Sequence, residues 1–259
     1  MTEALDQSRA RESYRSQNGE DHWLEAHFGG KNTGFFVEVG AYDGVSLSNT
    51  YHFEQCGWTG ILVEPDPDMA RRCRSGRPRS LTFQCAVAGP DSSGEIAFFQ
   101  VTGGEAYSTT NLTPAHRERL DRLGLRWREV RVAVRTLNSI LEEVSPSQVD
   151  FVSVDVEGGE VAVLRGFDLE RWRPAVVIVE TNARTRDPAV RRYFVEHRYA
   201  YHHSIDVNDF YLPVRGWTSL TWMLDGFRYL KHRVTRRLSR SRQLAQRAWR
   251  KHVLRRHER

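Results

Sequence analysis

The sequence predicts an α/β fold with a mostly parallel sheet and helices on both faces. Short apolar runs rich in aromatic and β-branched residues have the composition of buried parallel strands, and several end at an acidic residue. These runs are FFVEV (35–39), ILVEP (61–65), VDFVSVD (149–155) and AVVIVE (175–180). Helical segments separate them, as a doubly covered sheet requires. The runs AYHHSI and DFYLPV, joined by a turn at 206–209, predict an antiparallel hairpin at the sheet edge.

The remaining elements follow in chain order. A polar lead and a helix are expected over 1–30, with Ser16 or Asn18 as the cap and Gly29-Gly30 at the end. Later elements are a helix over 46–56, a helix from Met69, a strand over 81–89, an alternating strand over 94–101, a strand over 129–137, and helices over 137–144, 161–164 and 190–197. We therefore divide the chain into 1–30, a domain over 31–219 with an insert near 90–130, and a tail over 220–259.

The tail carries the basic charge of the chain. Residues 228–259 have a net charge of +12, whereas the rest of the chain has −7. Apolar residues recur every three or four positions from Leu220, which predicts a basic amphipathic helix. Such a helix is able to lie on an anionic membrane surface or simply to be solvated, while the acidic core disfavours a nucleic-acid partner. The first residues lack an apolar signal core and the three cysteines form no pair, so a cytoplasmic protein is expected, with the tail able to dock on the inner face of the membrane.

Four acidic residues lie at or near the ends of predicted strands: Glu38, Glu64, Asp155 and Glu180. Ligands of open α/β sheets bind at the carboxyl ends of the strands. Together these acids predict a site along one edge of the sheet.

The turn after the first strand contains Gly40 and Gly44, which allow a ligand to approach the backbone closely. A dinucleotide fingerprint would need further glycines where Tyr42 and Val45 stand, so a pyrophosphate ligand is disfavoured. Glu64, twenty residues after Gly44, has the spacing of a carboxylate that binds ribose hydroxyls, in a nicotinamide cofactor or in S-adenosylmethionine.

Four blocks of the sequence resemble the FkbM-type S-adenosylmethionine-dependent methyltransferases. They are SQNGED (16–21), FFVEVGAYDGVSLSNTYHFEQCGWTGILVEPDP (35–67), VRTL (134–137) and VDFVSVDVEGGEVAVLRGFD (149–168). The resemblance implies a class I methyltransferase, Rossmann-like sheet and transfer of a methyl group to oxygen, often in a sugar or polyketide. It implies cofactor binding on the turn over 38–44 and at Glu64. The expected cofactor-binding residues are Glu38, Gly40, Ala41, Tyr42, Asp43, Gly44, Ser46, Asn49, Glu64, Pro65 and Asp155. Glu38 stands where many members have Asp.

Methylation of a hydroxyl needs a group that removes its proton, or a metal. The candidates are Asp155, Glu157 and Glu180, and Asp155 with Glu180 could share a cation such as Mg²⁺. In the alternative interpretation, Asp155 hydrogen-bonds the loop and Glu157 caps the next helix.

The sequence allows two interpretations of several further residues. Ser46 and Asn49 could contact the cofactor or cap a helix. Gln17, Glu20 and Asp21 could form a lid or an ordinary capped helix. His202 and His203 predict one ring on each face of a strand rather than a catalytic base, and residues 107–109 could form a wall for the acceptor.

Three other functions remain open at this point. They are a nicotinamide-dependent oxidoreductase, a non-catalytic, membrane-docked binding module, and an RNA methyltransferase, which the basic tail allows but the acidic core disfavours. The identity of the acceptor, a small molecule or a glycan, and the oligomeric state are not determined by the sequence.

Overall fold

The computed structural model describes residues 13–181 and 188–214. Its strands are β1 (Phe35–Val39), β2 (Thr59–Val63), β3 (Ser80–Phe83), β4 (Ala86–Val87), β5 (Glu95–Thr102), β6 (Arg126–Arg135), β7 (Phe151–Val154), β8 (Val176–Glu180), β9 (Tyr199–Ile205) and β10 (Asn208–Pro213). Its α-helices are α1 (Glu20–Phe28), α2 (Tyr51–Gln55), α3 (Pro67–Gly76), α4 (Pro114–Leu123), α5 (Leu137–Val144), α6 (Glu160–Arg165), α7 (Leu169–Trp172) and α8 (Pro188–Glu196).

The main sheet has the order β3-β2-β1-β7-β8-β10-β9. The five strands from β3 to β8 pair in parallel, and β10 pairs antiparallel with both β8 and β9. This confirms the predicted mostly parallel sheet with an antiparallel edge hairpin, the class I methyltransferase arrangement. The direction of strand succession reverses between β1 and β7, where open α/β sheets form their ligand crevice.

Apolar side chains cover both faces of the main sheet. One cluster contains Val37, Ile61 and Val152 together with α5 and α8 residues, and the other contains Phe36 and Phe151 packed under α1. Alternate residues of one strand point to opposite faces, so β1 and β7 supply both clusters. This explains why their sequences are almost continuously apolar.

The structure corrects two predicted elements near the site. The helix expected over 46–56 covers only Tyr51–Gln55, because residues 46–50 are bonded instead to the side chains of Asp43 and Glu38. The strand expected over 81–89 is divided, because β4 leaves the main sheet and pairs with β6. The resulting small sheet, β4-β6-β5, carries the insert.

The N-terminal helix is anchored to the sheet. Neither Ser16 nor Asn18 is its cap residue, because Gly19 takes that position in a left-handed conformation. Glu20 is fully buried and accepts a hydrogen bond from Asn208 at 2.7 Å, while Asp21 accepts bonds from the backbone of residues 15 and 16. These buried acids therefore fasten the helix and do not cover the site as a lid.

No helix within 13–181 and 188–214 combines the length and apolarity needed to cross a membrane. The amphipathic helix predicted for 220–259 and the polar lead before residue 13 lie outside the described residues.

Candidate active site

A cavity opens at the carboxyl ends of β1, β2 and β7, where the strand succession reverses. Its empty volume, including the open solvent at its mouth, is about 930 Å³. Most of the predicted cofactor-binding residues lie in its wall: Glu38, Gly40, Ala41, Tyr42, Ser46, Asn49, Glu64, Pro65 and Asp155. Asp43 and Gly44 belong to the same turn, but they do not line the cavity, and Asp43 instead faces a neighbouring surface pocket.

The turn after β1 must contain glycine at position 40. Gly40 has a φ of 83°, and a Cβ built on it would lie 1.7 Å from the carbonyl oxygen of Asp155. Its backbone amide donates to the carbonyl of Val63 at 2.9 Å. The turn is thus fixed between the ends of β2 and β7, and only glycine permits this approach.

Glu64 lies at the end of β2 with its carboxylate held by two backbone amides. One oxygen accepts from Tyr42 and the other from Asp66, both at 2.8 Å. The side chain is buried, and burial raises the pKa of Glu64 to about 8 despite these two hydrogen bonds. A rigid, nearly dry carboxylate therefore faces the cavity.

Glu38 is bound to the segment that follows the turn. Its Oε1 accepts from the backbone amide of Asn49 at 2.8 Å, and its Oε2 accepts from the hydroxyls of Ser48 and Thr50 at 2.8 and 2.7 Å. Burial raises the pKa of Glu38, while the nearby Arg77 guanidinium opposes this shift. Glu38 thus shapes the cavity wall as well as contributing charge to it.

Asp43 and Ser46 stabilise the turn itself. Asp43 accepts from two following backbone amides, and its other oxygen accepts from the Ser46 hydroxyl at 2.9 Å. Ser46 therefore does not cap α2, whose cap residue is Thr50. Asn49 donates to the hydroxyl of Ser153 at 2.9 Å, which connects the segment to β7.

Asp155 and Glu180 follow paired residues at the ends of the neighbouring strands β7 and β8, and their carboxyl groups interact with each other. Asp155 exposes its side chain to the cavity, whereas Glu180 lies behind the wall. The enclosed position and the neighbouring Glu180 raise the pKa of Asp155 well above its usual range. Burial also raises the pKa of Glu180, but the hydrogen bond from Asp155 opposes this. The two carboxyl groups therefore bind a proton, as a pair, more tightly than isolated carboxyl groups would.

Glu157 lies in the wall beyond Asp155 with a φ of 52°. Burial, followed by the charge of Asp155, raises the pKa of Glu157 to about 7, while Arg119, 3.8 Å away, opposes the shift. The prediction that Glu157 caps the next helix is wrong, because Gly159 is the cap residue of α6.

The insert supplies the wall opposite the turn. Thr109 is buried, and its hydroxyl donates to the carbonyl of Glu157 at 3.1 Å. Ser108 is also in the wall, but Tyr107 is not, since its ring lies under the guanidinium of Arg119 at 4.5 Å. Thus two of the three residues proposed as an acceptor wall line the cavity.

Sequence reasoning missed several wall residues, namely Leu47, Cys85, Phe98, Glu105 and Thr110. The alternating pattern of β5 identifies the face that bears Phe98, but it does not indicate that this face covers the cavity. Leu47 is half exposed with a φ of 63°, and no local signal marks it.

The cavity wall carries five carboxyl groups, from Glu38, Glu64, Glu105, Asp155 and Glu157. The described residues that form the wall include no lysine, arginine or histidine. Those of the five carboxyl groups that are ionised attract a cationic ligand and repel an anionic one.

His202 and His203 lie away from the cavity wall. Contrary to the expectation of one ring on each face, both rings contact Trp23, with centroid distances of 5.5 and 4.7 Å, and their Nδ1 atoms are 2.8 Å apart. They link the edge strand to α1. Among the described residues no group of three or more His, Cys, Asp or Glu side chains has the arrangement of a metal site.

Solved structures resemble the chain at low identity. A TehB-like S-adenosylmethionine-dependent methyltransferase from Corynebacterium glutamicum is 9% identical, with a TM-score of 0.43, over 82% of this chain and 97% of that one. An O-methyltransferase from Bacillus cereus, in complex with SAH, is 16% identical, with a TM-score of 0.40, over 81% and 87%. A comparison with curated proteins found no match.

The family model of the methyltransferase FkbM domain matches residues 38–202, well over half of the chain. The matched region begins at Glu38 and includes the turn, Glu64, the insert and the Asp155–Glu180 pair. The chain therefore belongs to the FkbM methyltransferase family and is an S-adenosylmethionine-dependent methyltransferase.

Proposed function

We propose that the protein methylates a hydroxyl oxygen, in a sugar, a glycan or a polyketide-like metabolite, with the cofactor bound in the carboxylate-lined cavity. The observation that carries this proposal is the Asp155–Glu180 pair at the cavity. A hydroxyl must lose its proton when it is methylated, and a carboxylate of raised pKa is a stronger base than an ordinary one.

The wall residues fit the cofactor. A carboxylate accepts about four hydrogen bonds, so each oxygen of Glu64, which already binds one backbone amide, retains capacity for a ribose hydroxyl. The Gly40 turn leaves room for close approach of a ligand, and carboxyl groups of the wall favour the positive charges of a sulfonium and an ammonium when they are ionised. The pyrophosphate of a nicotinamide cofactor would be repelled, which argues against the oxidoreductase alternative.

Bound S-adenosylmethionine supplies an electrophilic methyl group. The residues of the chain then have distinct tasks. Glu64 and the turn orient the cofactor, and Glu38 maintains the wall. Asp155, in its ionised form, accepts the proton of the acceptor hydroxyl, while Glu180 holds its carboxyl in place. Glu157 and the insert align the acceptor from the opposite side.

Two finer proposals accompany this function. Asp155 and Glu180 could bind Mg²⁺ if water and the acceptor completed the coordination, and activity retained after chelation of divalent ions would contradict this. The basic tail over 220–259 could dock the enzyme on the anionic inner face of a membrane. Flotation with anionic liposomes tests this, and equal flotation of a chain ending at Gly226 would contradict it.

The acceptor is tested by incubating the enzyme with methyl-labelled cofactor and pools of glycosides, polyketides and lipid-linked glycans, with RNA and protein as comparison pools. The expected product carries a methyl ether, identified by NMR, and does not form with Asp155→Asn. A methyl group on nitrogen or carbon, or label in RNA, would overturn the proposal of O-methylation.

A further inference from the structure

Arg77 is a fully buried arginine outside the cavity wall. It follows α3 as its C-cap residue, and its backbone amide donates to Cys73. Its guanidinium Nε donates to the Glu54 carboxylate at 2.9 Å. Burial of an arginine costs free energy unless acceptors bind its N–H donors. The partners of a buried arginine therefore indicate its structural role.

The other two nitrogens bind the segment between the turn and α2. Nη1 donates to the carbonyl of Gly44 at 2.6 Å and to the hydroxyl of Ser48 at 3.3 Å, and Nη2 donates to the hydroxyl of Thr50 at 3.0 Å. Residues 46–49 all line the cavity, although they form neither helix nor strand of the main sheet. Their position therefore depends on side-chain bonds such as these.

Arg77 also acts electrostatically on the wall. Its Nη1 lies 3.8 Å from Oε2 of Glu38, so the buried carboxylate has a cation directly behind it. Asp155 and the Cys73 thiol are the other titratable groups that interact with Glu38, and ionisation of either would add negative charge. Burial raises the pKa of Glu38, and Arg77 is the cation that opposes this effect.

We infer that Arg77 is a positioning residue for the cofactor. It holds residues 44–50 against the site through its planar set of donors, and its charge favours the ionised form of Glu38 toward the cationic ligand. This inference rests on the proposed location of the cofactor in the cavity.

The test measures the Kd of S-adenosylmethionine by calorimetry from neutral to alkaline pH. Arg77→Lys keeps the charge but loses the planar donors. Arg77→Met combined with Glu54→Gln removes the charge without leaving the Glu54 carboxylate unpaired. Arg74→Met, at an exposed position of the same helix, is the control, and urea unfolding measures the stability of every variant.

We expect the double variant to bind weakly at neutral pH and to gain more affinity than the wild type as the pH rises, since in the wild type only the ionisation of Glu64 strengthens binding over this range. Affinity should fall about tenfold for each unit by which the pKa of Glu38 exceeds the assay pH. Arg77→Lys should weaken binding while keeping the pH profile of the wild type, and Arg74→Met should match the wild type.

Wild-type affinity and pH profile in the double variant would overturn the electrostatic role, even if its stability is reduced. If the double variant does not fold, Arg77→Lys becomes the deciding test. A wild-type Kd for S-adenosylmethionine in Arg77→Lys would then overturn the inference. Glu64→Gln is measured in parallel. If it also binds like the wild type, the proposed cofactor site itself fails; if it binds weakly while the Arg77 variants do not, only the present inference fails.

Discussion

The α-carbon of Gly40 abuts the carbonyl oxygen of Asp155 so closely that a methyl group there would lie 1.7 Å from it. The proposed cofactor-binding turn and the proposed catalytic strand end are therefore in direct backbone contact. A displacement of one requires a displacement of the other, which couples cofactor geometry to the position of the proposed base.

Gly40→Ala should abolish measurable cofactor binding and reduce the free energy of unfolding, measured with urea. Gly94→Ala is the matched control, because Gly94 has a similar φ of 75° but open space around it. The control should show only the left-handed backbone penalty, about 1–2 kcal/mol. Equal losses in the two variants would contradict the contact with Asp155.

Binding of the cofactor to the wild type should release protons at neutral pH. The pKa of Glu64 is about 8 in the free enzyme, and donors from ribose hydroxyls favour its ionised form. Calorimetry in buffers of different ionisation enthalpy measures the released protons. Glu64→Gln should bind S-adenosylmethionine more weakly and release fewer protons. If it released as many protons as the wild type, the protons would come from a group other than Glu64.

The same residue predicts how stability depends on pH without cofactor. The folded pKa of Glu64 is about 8 and its ordinary value is 4.5, so the folded state binds more protons between these values. The contribution of the protonated Glu64 carboxyl to the free energy of unfolding is fully present below pH 4.5 and is lost as the pH rises through 8. Over this range the free energy of unfolding should fall by up to about 1.4 kcal/mol per pH unit. In urea unfolding, Glu64→Gln should therefore be less sensitive to pH than the wild type. If the free energy of unfolding changed with pH in the same way for the wild type and for Glu64→Gln, this would contradict burial of the Glu64 carboxyl.

Asp155→Asn should retain cofactor affinity while kcat falls by about 10²–10⁴-fold, the usual contribution of a general base. In the wild type, kcat/KM should rise with pH until Asp155 is ionised. Glu180→Gln should move this rise to lower pH, because Glu180 raises the pKa of its partner. A shift to higher pH, or wild-type turnover in Asp155→Asn, would exclude Asp155 as the base.

Thr109→Val should raise the KM for the acceptor with little change in cofactor Kd. The substitution removes the hydroxyl that binds the Glu157 carbonyl and accepts from the Asn111 amide, which weakens the attachment of the insert to the segment after β7. Thr102→Val, at an exposed position of the same insert, is the control. An effect confined to cofactor Kd would show that the insert covers the cofactor instead.

The sheet was predictable from the sequence because its signals are local. Residues 35–39 and 175–180 are apolar on both faces, and such runs form buried parallel strands in most contexts. The acids at the strand ends were predictable for the same reason, since parallel strands bring their carboxyl ends to one edge. The short α2 was not predictable, because Glu38 and Asp43 bind residues 46–50 more effectively than helical hydrogen bonds would.

The amino-acid sequence by itself determined the fold class, the glycine turn and the edge of the sheet where the acids gather. Only the tertiary structure decided the task of each acid: Glu38 binds a neighbouring segment, Glu64 faces the cavity and Glu180 stands behind Asp155. It also decided that the insert closes the cavity and that Arg77 lies behind its wall. The reason is that strand identity depends on neighbours within a few residues, whereas the direction and charge state of a buried side chain depend on partners distant in the chain.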